Sequence, residues 1–123
     1  MADVAKNPIK AARMTFSIVE ILVRADGAGV TEVADNLGMA KSSVYNYLST
    51  LQEMGYVTKE GTEYHVGLRF LEFGEIARNR DDVYEAAKLE MRRLIKETGE
   101  LINLLMEEGV CEIFVHRETV ERA

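Results

Sequence analysis

The sequence predicts a mainly α protein with small β-hairpins, an α+β class. Three helices and a hairpin come first, a linking helix follows, and a helix with a second hairpin completes the order. Three observations predict it. Apolar residues recur at helical spacing in separate segments, short alternating runs flank turns that contain glycine, and glycine marks most of the junctions.

Met14, Ile18, Ile21, Leu22 and Ala25 follow the i, i+4, i+7, i+8, i+11 rule of a helix with one buried stripe, ended by Gly27 and Gly29. Thr31 is placed to cap a short second helix carrying Val33, Ala34 and Leu37. Glu32 and Asp35 fall in its early turns, where the helix dipole favours acids. Gly38 stops that helix as a residue free to take positive φ. A third helix follows, with Val44, Tyr47, Leu48 and Leu51 on its inward side and Ser42, Ser43, Tyr45, Asn46, Ser49 and Thr50 around the other, closed by Gly55. Tyr47 is expected in the core and Tyr45 outward. Two alternating runs, Tyr56 to Lys59 and Glu63 to Val66, joined by Glu60, Gly61 and Thr62, then read as a hairpin.

Leu68, Phe70, Leu71, Phe73, Ile76 and Ala77 spread over more than half of a helix circumference, so this helix needs two partners. One is its own domain, and the simplest second is the same helix of another subunit. After the polar break at residues 79–82, Asp81 or Asp82 caps a long amphipathic helix marked by Val83, Ala87, Met91, Leu94, Ile95 and Thr98 and ended near Gly99. Leu101 to Met106 and Val110 to His116 flank Glu108 and Gly109, a second hairpin signal. One helix and two apolar strands cannot cover both faces of that hairpin, so the reading expects either a partner chain or a chain shortened relative to a longer protein.

The 123 residues, 47% hydrophobic and 29% charged, describe an ordinary globular chain rather than a disordered one. No apolar run approaches a membrane span and no secretory signal opens the chain, so a cytoplasmic protein without membrane association is expected. Cys111 has no second cysteine to pair with and is read as a buried structural thiol. His65 and His116 lack ligand-spaced companions, the adjacent acids at 81–82 and 107–108 sit in cap or turn contexts, and no phosphate loop or nucleophile motif appears. An enzyme, a metal site and a cofactor are therefore not expected. A net charge of −6 disfavours a protein that coats nucleic acid indiscriminately. The acids, however, avoid two windows. None falls between Asp3 and Glu20, which holds Lys6, Lys10 and Arg13, and none between Asp35 and Glu53, which holds Lys41.

With Val30 as position one of a helix-turn-helix, Ala34 stands at five, Gly38 at nine and Val44 at fifteen. A small residue is needed where the helices cross, glycine at the left-handed turn, and an apolar plug in the angle. Three helices followed by a hairpin make this a winged helix-turn-helix, whose second helix lies in the major groove of DNA with its N-terminal residues at bases and phosphates. Lys41, Ser42, Ser43, Tyr45, Asn46 and Ser49 occupy those positions. Lys41 and Ser42 suit phosphates at a helix start. Lys59 and Thr62 in the wing, and Lys10 and Arg13 in an N-terminal arm, are the expected flanking contacts. So few cations predict weak non-specific binding and a dimer on a pseudo-palindromic operator.

The stretch "VTEVADNLGMAKSSVYNYLSTLQEMGYVTKEGTEYHVGLRFLEFG" resembles the N-terminal half of IclR-type transcription regulators. The likeness rests on the helix-turn-helix, on Gly55-Tyr56-Val57 leading into the wing, and on Tyr64, Val66, Gly67, Arg69 and Gly74 leading out of it, with Val66 where leucine is usual. It runs from about Lys10 to Arg117. The resemblance implies a winged helix-turn-helix domain over 1–67, a dimerising linker helix over 68–80, and over 81–123 the helix-plus-hairpin start of a GAF-like effector domain. It also implies arginine, which prefers guanine, where this chain has Asn46, which pairs with adenine. The family's effector residues lie mostly beyond this segment, so no effector-binding residue is carried over, a small-molecule effector stays uncertain, and no binding of carboxylate metabolites is expected. An interaction module that forms mixed dimers with longer relatives, without binding DNA itself, is the alternative.

Overall fold

A computed structural model describes residues 4–108 and 111–118, apart from the side chains of Cys111 and Glu112. The chain divides into two compact units, with Ala5–Glu72 forming one and the residues from Phe73 onward the other. The element order is α1 (Lys10–Arg24), α2 (Val30–Leu37), α3 (Lys41–Glu53), β1 (Val57–Glu60), β2 (Glu63–Val66), α4 (Arg69–Asn79), α5 (Asp82–Thr98), β3 (Ile102–Glu108) and β4 (Cys111–Glu118).

In the first unit, Ile18, Ile21 and Leu22 of α1, Val33 and Ala34 of α2, Val44, Leu48 and Leu51 of α3, and Val57 and Tyr64 of the wing bury one core. Burying each of the larger side chains contributes about 1.5–3 kcal/mol. Tyr47 packs at the edge of this core and Tyr45 stays exposed, as their helical positions require. Gly38 ends α2 at φ 63°, and the next amide, Met39 N–H, donates to Ala34 O. This is the left-handed turn that lets α3 cross α2 at Ala34.

Several sequence expectations change. Thr31 does not cap α2. Gly29 occupies the N-cap with no side-chain bond, because the chain reaches it fully extended and Thr31 is already inside the helix. Helix α1 starts directly after Pro8 and Ile9, so Lys10 and Arg13 stand on a helix rather than in an arm. Its end falls at Arg24, and the chain reverses through Asp26 at φ 52° and Gly27 at φ 101°. A Cβ on Gly27 would lie 2.2 Å from the His65 ring. That absence of side chain lets Ala28 pair with Tyr64, whose amides and carbonyls exchange bonds of 3.1 and 2.8 Å. A single β-bridge thus ties the α1–α2 loop to the wing, a non-local contact that no local pattern announces. Glu60 belongs to β1, opposite Glu63, which leaves Gly61 and Thr62 as the turn.

In the second unit Asp81 caps α5, accepting from Val83 N–H at 2.9 Å. The buried residues of α5 are Tyr84, Met91 and Ile95, whereas Val83 and Leu94 are exposed. The apolar stripe therefore begins at Tyr84, since positions 84, 91 and 95 share the face turned to the hairpin. The hairpin pairs Ile102 with Glu118, Leu104 with His116 and Met106 with Ile113, and its register breaks between Leu104 and Leu105. The extra residue, Val115, changes the alternation of β4, so that His116 and Glu118 share a face with Leu104 and Ile102. β3 continues through Glu108, which stands opposite Cys111, and Gly109 of the second hairpin signal lies outside the described residues. The Cys111 side chain, read as a buried thiol, is outside them too.

Candidate nucleic-acid interface

Helix α3 buries Val44, Leu48 and Leu51, so its remaining sides present Lys41, Ser42, Tyr45 and Asn46 as exposed residues, with Ser43 and Ser49 half-buried. The N-cap of α3 is Ala40, which has no side-chain oxygen to give, and the first turn holds no acid. The first backbone bond into the helix is Val44 N–H to Ala40 O at 3.1 Å, leaving the N–H groups of Lys41, Ser42 and Ser43 to the surroundings. Free N–H groups and the positive end of the helix dipole favour an anion at this helix start, and the exposed Lys41 at its first position adds a positive charge.

Further along, the hydroxyls of Ser49 and Thr50 both donate to Asn46 O, at 3.2 and 2.7 Å. These back-bonds occupy the two hydroxyls within the helix and leave the Asn46 side chain exposed beyond the anion-favouring turn.

Five of the sequence-predicted residues, Lys10, Ser43, Tyr45, Lys59 and Thr62, line two concavities. One is lined by Lys10 and Met14 of α1, the turn at Leu37–Ala40, and Ser43 and Tyr47 of α3, which brings the Lys10 side chain beside the start of α3. The other joins Tyr45, Lys59 and Thr62 with the first turns of α2. Lys59 reaches across the wing with its ammonium 5.4 Å from the Tyr64 ring centroid. Arg13, exposed on α1, and Lys41, Ser42, Asn46 and Ser49 of α3 line neither concavity.

Thr31 is a candidate that sequence reasoning missed, because a threonine at a helix start reads first as a cap. It is exposed and lines the concavity with Tyr45, Lys59 and Thr62. Glu32 and Asp35 line the same concavity. The two helix starts therefore differ in electrostatics, since α2 carries an acid in its first turn and α3 carries none.

Residues 12–61 match the IclR helix-turn-helix domain family. The chain is 32% identical over 120 residues to the HTH-type transcriptional regulator KdgR of Escherichia coli (strain K12), covering 94% of this chain and 46% of that protein. It is 30% identical over 113 residues to the HTH-type transcriptional regulator KipR of Bacillus subtilis (strain 168), covering 91% of this chain and 45% of the relative. The chain thus spans about half the length of the curated relatives it matches. In fold it is similar to the crystal structure of Thermotoga maritima IclR, with a TM-score of 0.71 at 23% identity over 92% of this chain and 47% of that one. It is similar also to an IclR family transcriptional regulator from Brucella abortus, with a TM-score of 0.78 at 16% identity over 98% and 48% of the two chains. Residues 12–61 of this chain thus form an IclR helix-turn-helix domain.

Proposed function

We propose that this chain is a sequence-specific DNA-binding transcription regulator that acts as a homodimer through major-groove recognition. The observation that carries this is the start of α3, where uncapped N–H groups, Lys41 and two serines share a first turn that holds no acid. In this reading Lys41, Ser42 and Ser43 hold phosphates, Tyr45 lies along the backbone, and Asn46 reads a base edge, with adenine preferred. Ser49 shapes the helix next to Asn46. Lys59 and Thr62 meet the flanking backbone from the wing, and Lys10 and Arg13 meet it from α1.

Dimerisation is supported by apolar surface on two helices. No residue of α4 is buried within the chain, and Leu71 and Ile76 on it are exposed, as is Leu68 just before it, at 83%. Helix α1 adds Phe16 and Val23, which with Ile9 at its N-cap are exposed at intervals of seven. Apolar residues at that spacing on and just before the helix follow the pattern of a seam awaiting a partner.

The test is selection of duplexes from a random library by the purified chain, followed by gel shifts and light scattering. The expected result is a pseudo-palindromic consensus bound by a dimer, with an adenine that changes to guanine for Asn46→Arg. Absence of any shifted species down to low salt would overturn the proposal.

A further inference from the structure

The last turn of α3 carries no basic residue, and the helix ends on Met54 at its C-cap. A guanidinium from another element supplies the charge that a helix C-terminus favours. Arg69, the first residue of α4, donates from Nη1 to Met54 O at 2.6 Å, a short charge-assisted bond. Its guanidinium carbon also stands 4.8 Å from the centroid of the Tyr56 ring. Phe70, the next residue of α4, approaches the same ring, with centroids 5.2 Å apart and planes tilted by 52°. All of these residues lie within the first unit.

The backbone by itself leaves this junction able to turn. Between Met54 and Arg69 the chain runs out through the wing and back, with Gly55 at φ 86° at one end and Gly67 at the other. One backbone bond, Gly67 N–H to Tyr56 O at 2.7 Å, closes the base of the wing. A single bond is a pivot. The Arg69 bond and the two ring contacts act off that pivot, and together they set the angle between the end of α3 and the start of α4. The Arg69 bond does not rescue a buried group. Arg69 and Met54 are both exposed, so water would serve Met54 O and the guanidinium if the bond were absent. A contact that adds little stability and yet fixes an angle is a positioning contact.

The angle matters because α3 carries the base-reading surface, whereas Leu71 on α4, with Leu68 just before it, belongs to the apolar surface offered to a second copy. One turn of duplex is about 34–36 Å and about 10–10.5 base pairs, so one base pair is about 3.4 Å along the axis and about 35° around it. A pivot that swings α3 by that much lets a dimer accept the wrong spacing. We infer, on the reading of the chain as a dimeric DNA-binding regulator, that Arg69 is a positioning residue which locks the end of α3 to the start of α4 and so makes the dimer selective for one half-site spacing. Its role needs no contact with a base.

Competition anisotropy with the full chain tests it, using the duplex selected from the random library and copies with one or two base pairs added or removed between the half-sites. The wild-type chain should lose at least tenfold in affinity at each altered spacing. Arg69→Met should bind the selected duplex within threefold of wild type, hold its Tm within a few degrees, and discriminate among the spacings by less than threefold. Arg69→Lys keeps a donor for Met54 O but not the flat cation over Tyr56, and should fall between the two. Should Arg69→Met fail to fold, Phe70→Leu, which removes only the second ring contact, should relax the spacing preference in the same direction. Discrimination at the wild-type level in every variant that folds, or an equal loss of affinity at every spacing, would overturn the inference and leave the DNA-binding reading intact. A wild-type chain that bound all spacings alike would overturn it as well, and one that bound no duplex would overturn both.

Discussion

Replacing Lys41 by alanine probes the proposed interface with the least disturbance to the fold. The residue is exposed and stands at the first position of α3, so its removal should alter stability by no more than about 0.5 kcal/mol. Its effect on DNA is larger. Each phosphate neutralised steepens the fall of log K with log salt by about 0.9, so a dimer that loses Lys41 twice loses about 1.8 of slope. At about 0.1 M KCl the same term lowers affinity about 60-fold, equally for the selected operator and for unrelated duplex. Fluorescence anisotropy between about 0.1 and 0.4 M KCl measures both quantities. An unchanged slope with affinity lost only on the operator would mean that Lys41 reads a base. An unchanged slope with unchanged affinity would refute the α3 start as the phosphate site.

Three further outcomes are expected. Glu32→Gln removes an acid from the concavity shared by Lys59 and Tyr45, and should raise affinity for any duplex by about two- to tenfold with little change in sequence preference; weaker binding in the same anisotropy assay would contradict the placement of DNA there. Leu48→Ala, at a fully buried site on α3, should cost about 3 kcal/mol and lower Tm by more than about 10 °C in calorimetry, since the surrounding three-helix core has no room to collapse around the cavity. Hydrogen bonds from His116, and then from Arg92, hold the Glu118 carboxyl below the usual carboxylate range despite the opposing effect of burial. Because the unfolded chain protonates this group more readily, its stabilisation is complete above the unfolded pKa and is lost as the pH falls through the folded one. Glu118→Gln should therefore cost about 1–3 kcal/mol at neutral pH and flatten the acid limb of the Tm–pH curve, with a parallel curve contradicting the pairing.

The helix-turn-helix was legible because its determinants are local. Ala34, Gly38 and Val44 are fixed by a crossing, a turn and a plug within fifteen residues, and Gly38 does adopt the left-handed turn. The acid-free windows were equally legible, since they are a property of order along the chain. The cap of α2 was misread because Thr31 and Gly29 compete for one position, and the choice depends on the path of the preceding loop. That path is set by the bridge between Ala28 and Tyr64, 36 residues apart in sequence. The face of α5 was misread for a related reason, as Val83 and Tyr84 are both apolar neighbours and only the hairpin packed on the helix selects between them.

The sequence by itself determined the element order, the three-helix core with its wing, and a third helix with no acid before its last residue, Glu53, because periodicity, glycine placement and local charge act over short distances. Tertiary structure decided which of those residues meet: Thr31 with Lys59 and Tyr45, Lys10 with Ser43, and four cations around one buried glutamate. The last depends on a bulge at Val115 that turns His116 and Glu118 to one face of the hairpin. One inserted residue reverses the alternation of a strand. Its effect is fixed by the register against the partner strand, a quantity that the residues of β4 alone do not contain.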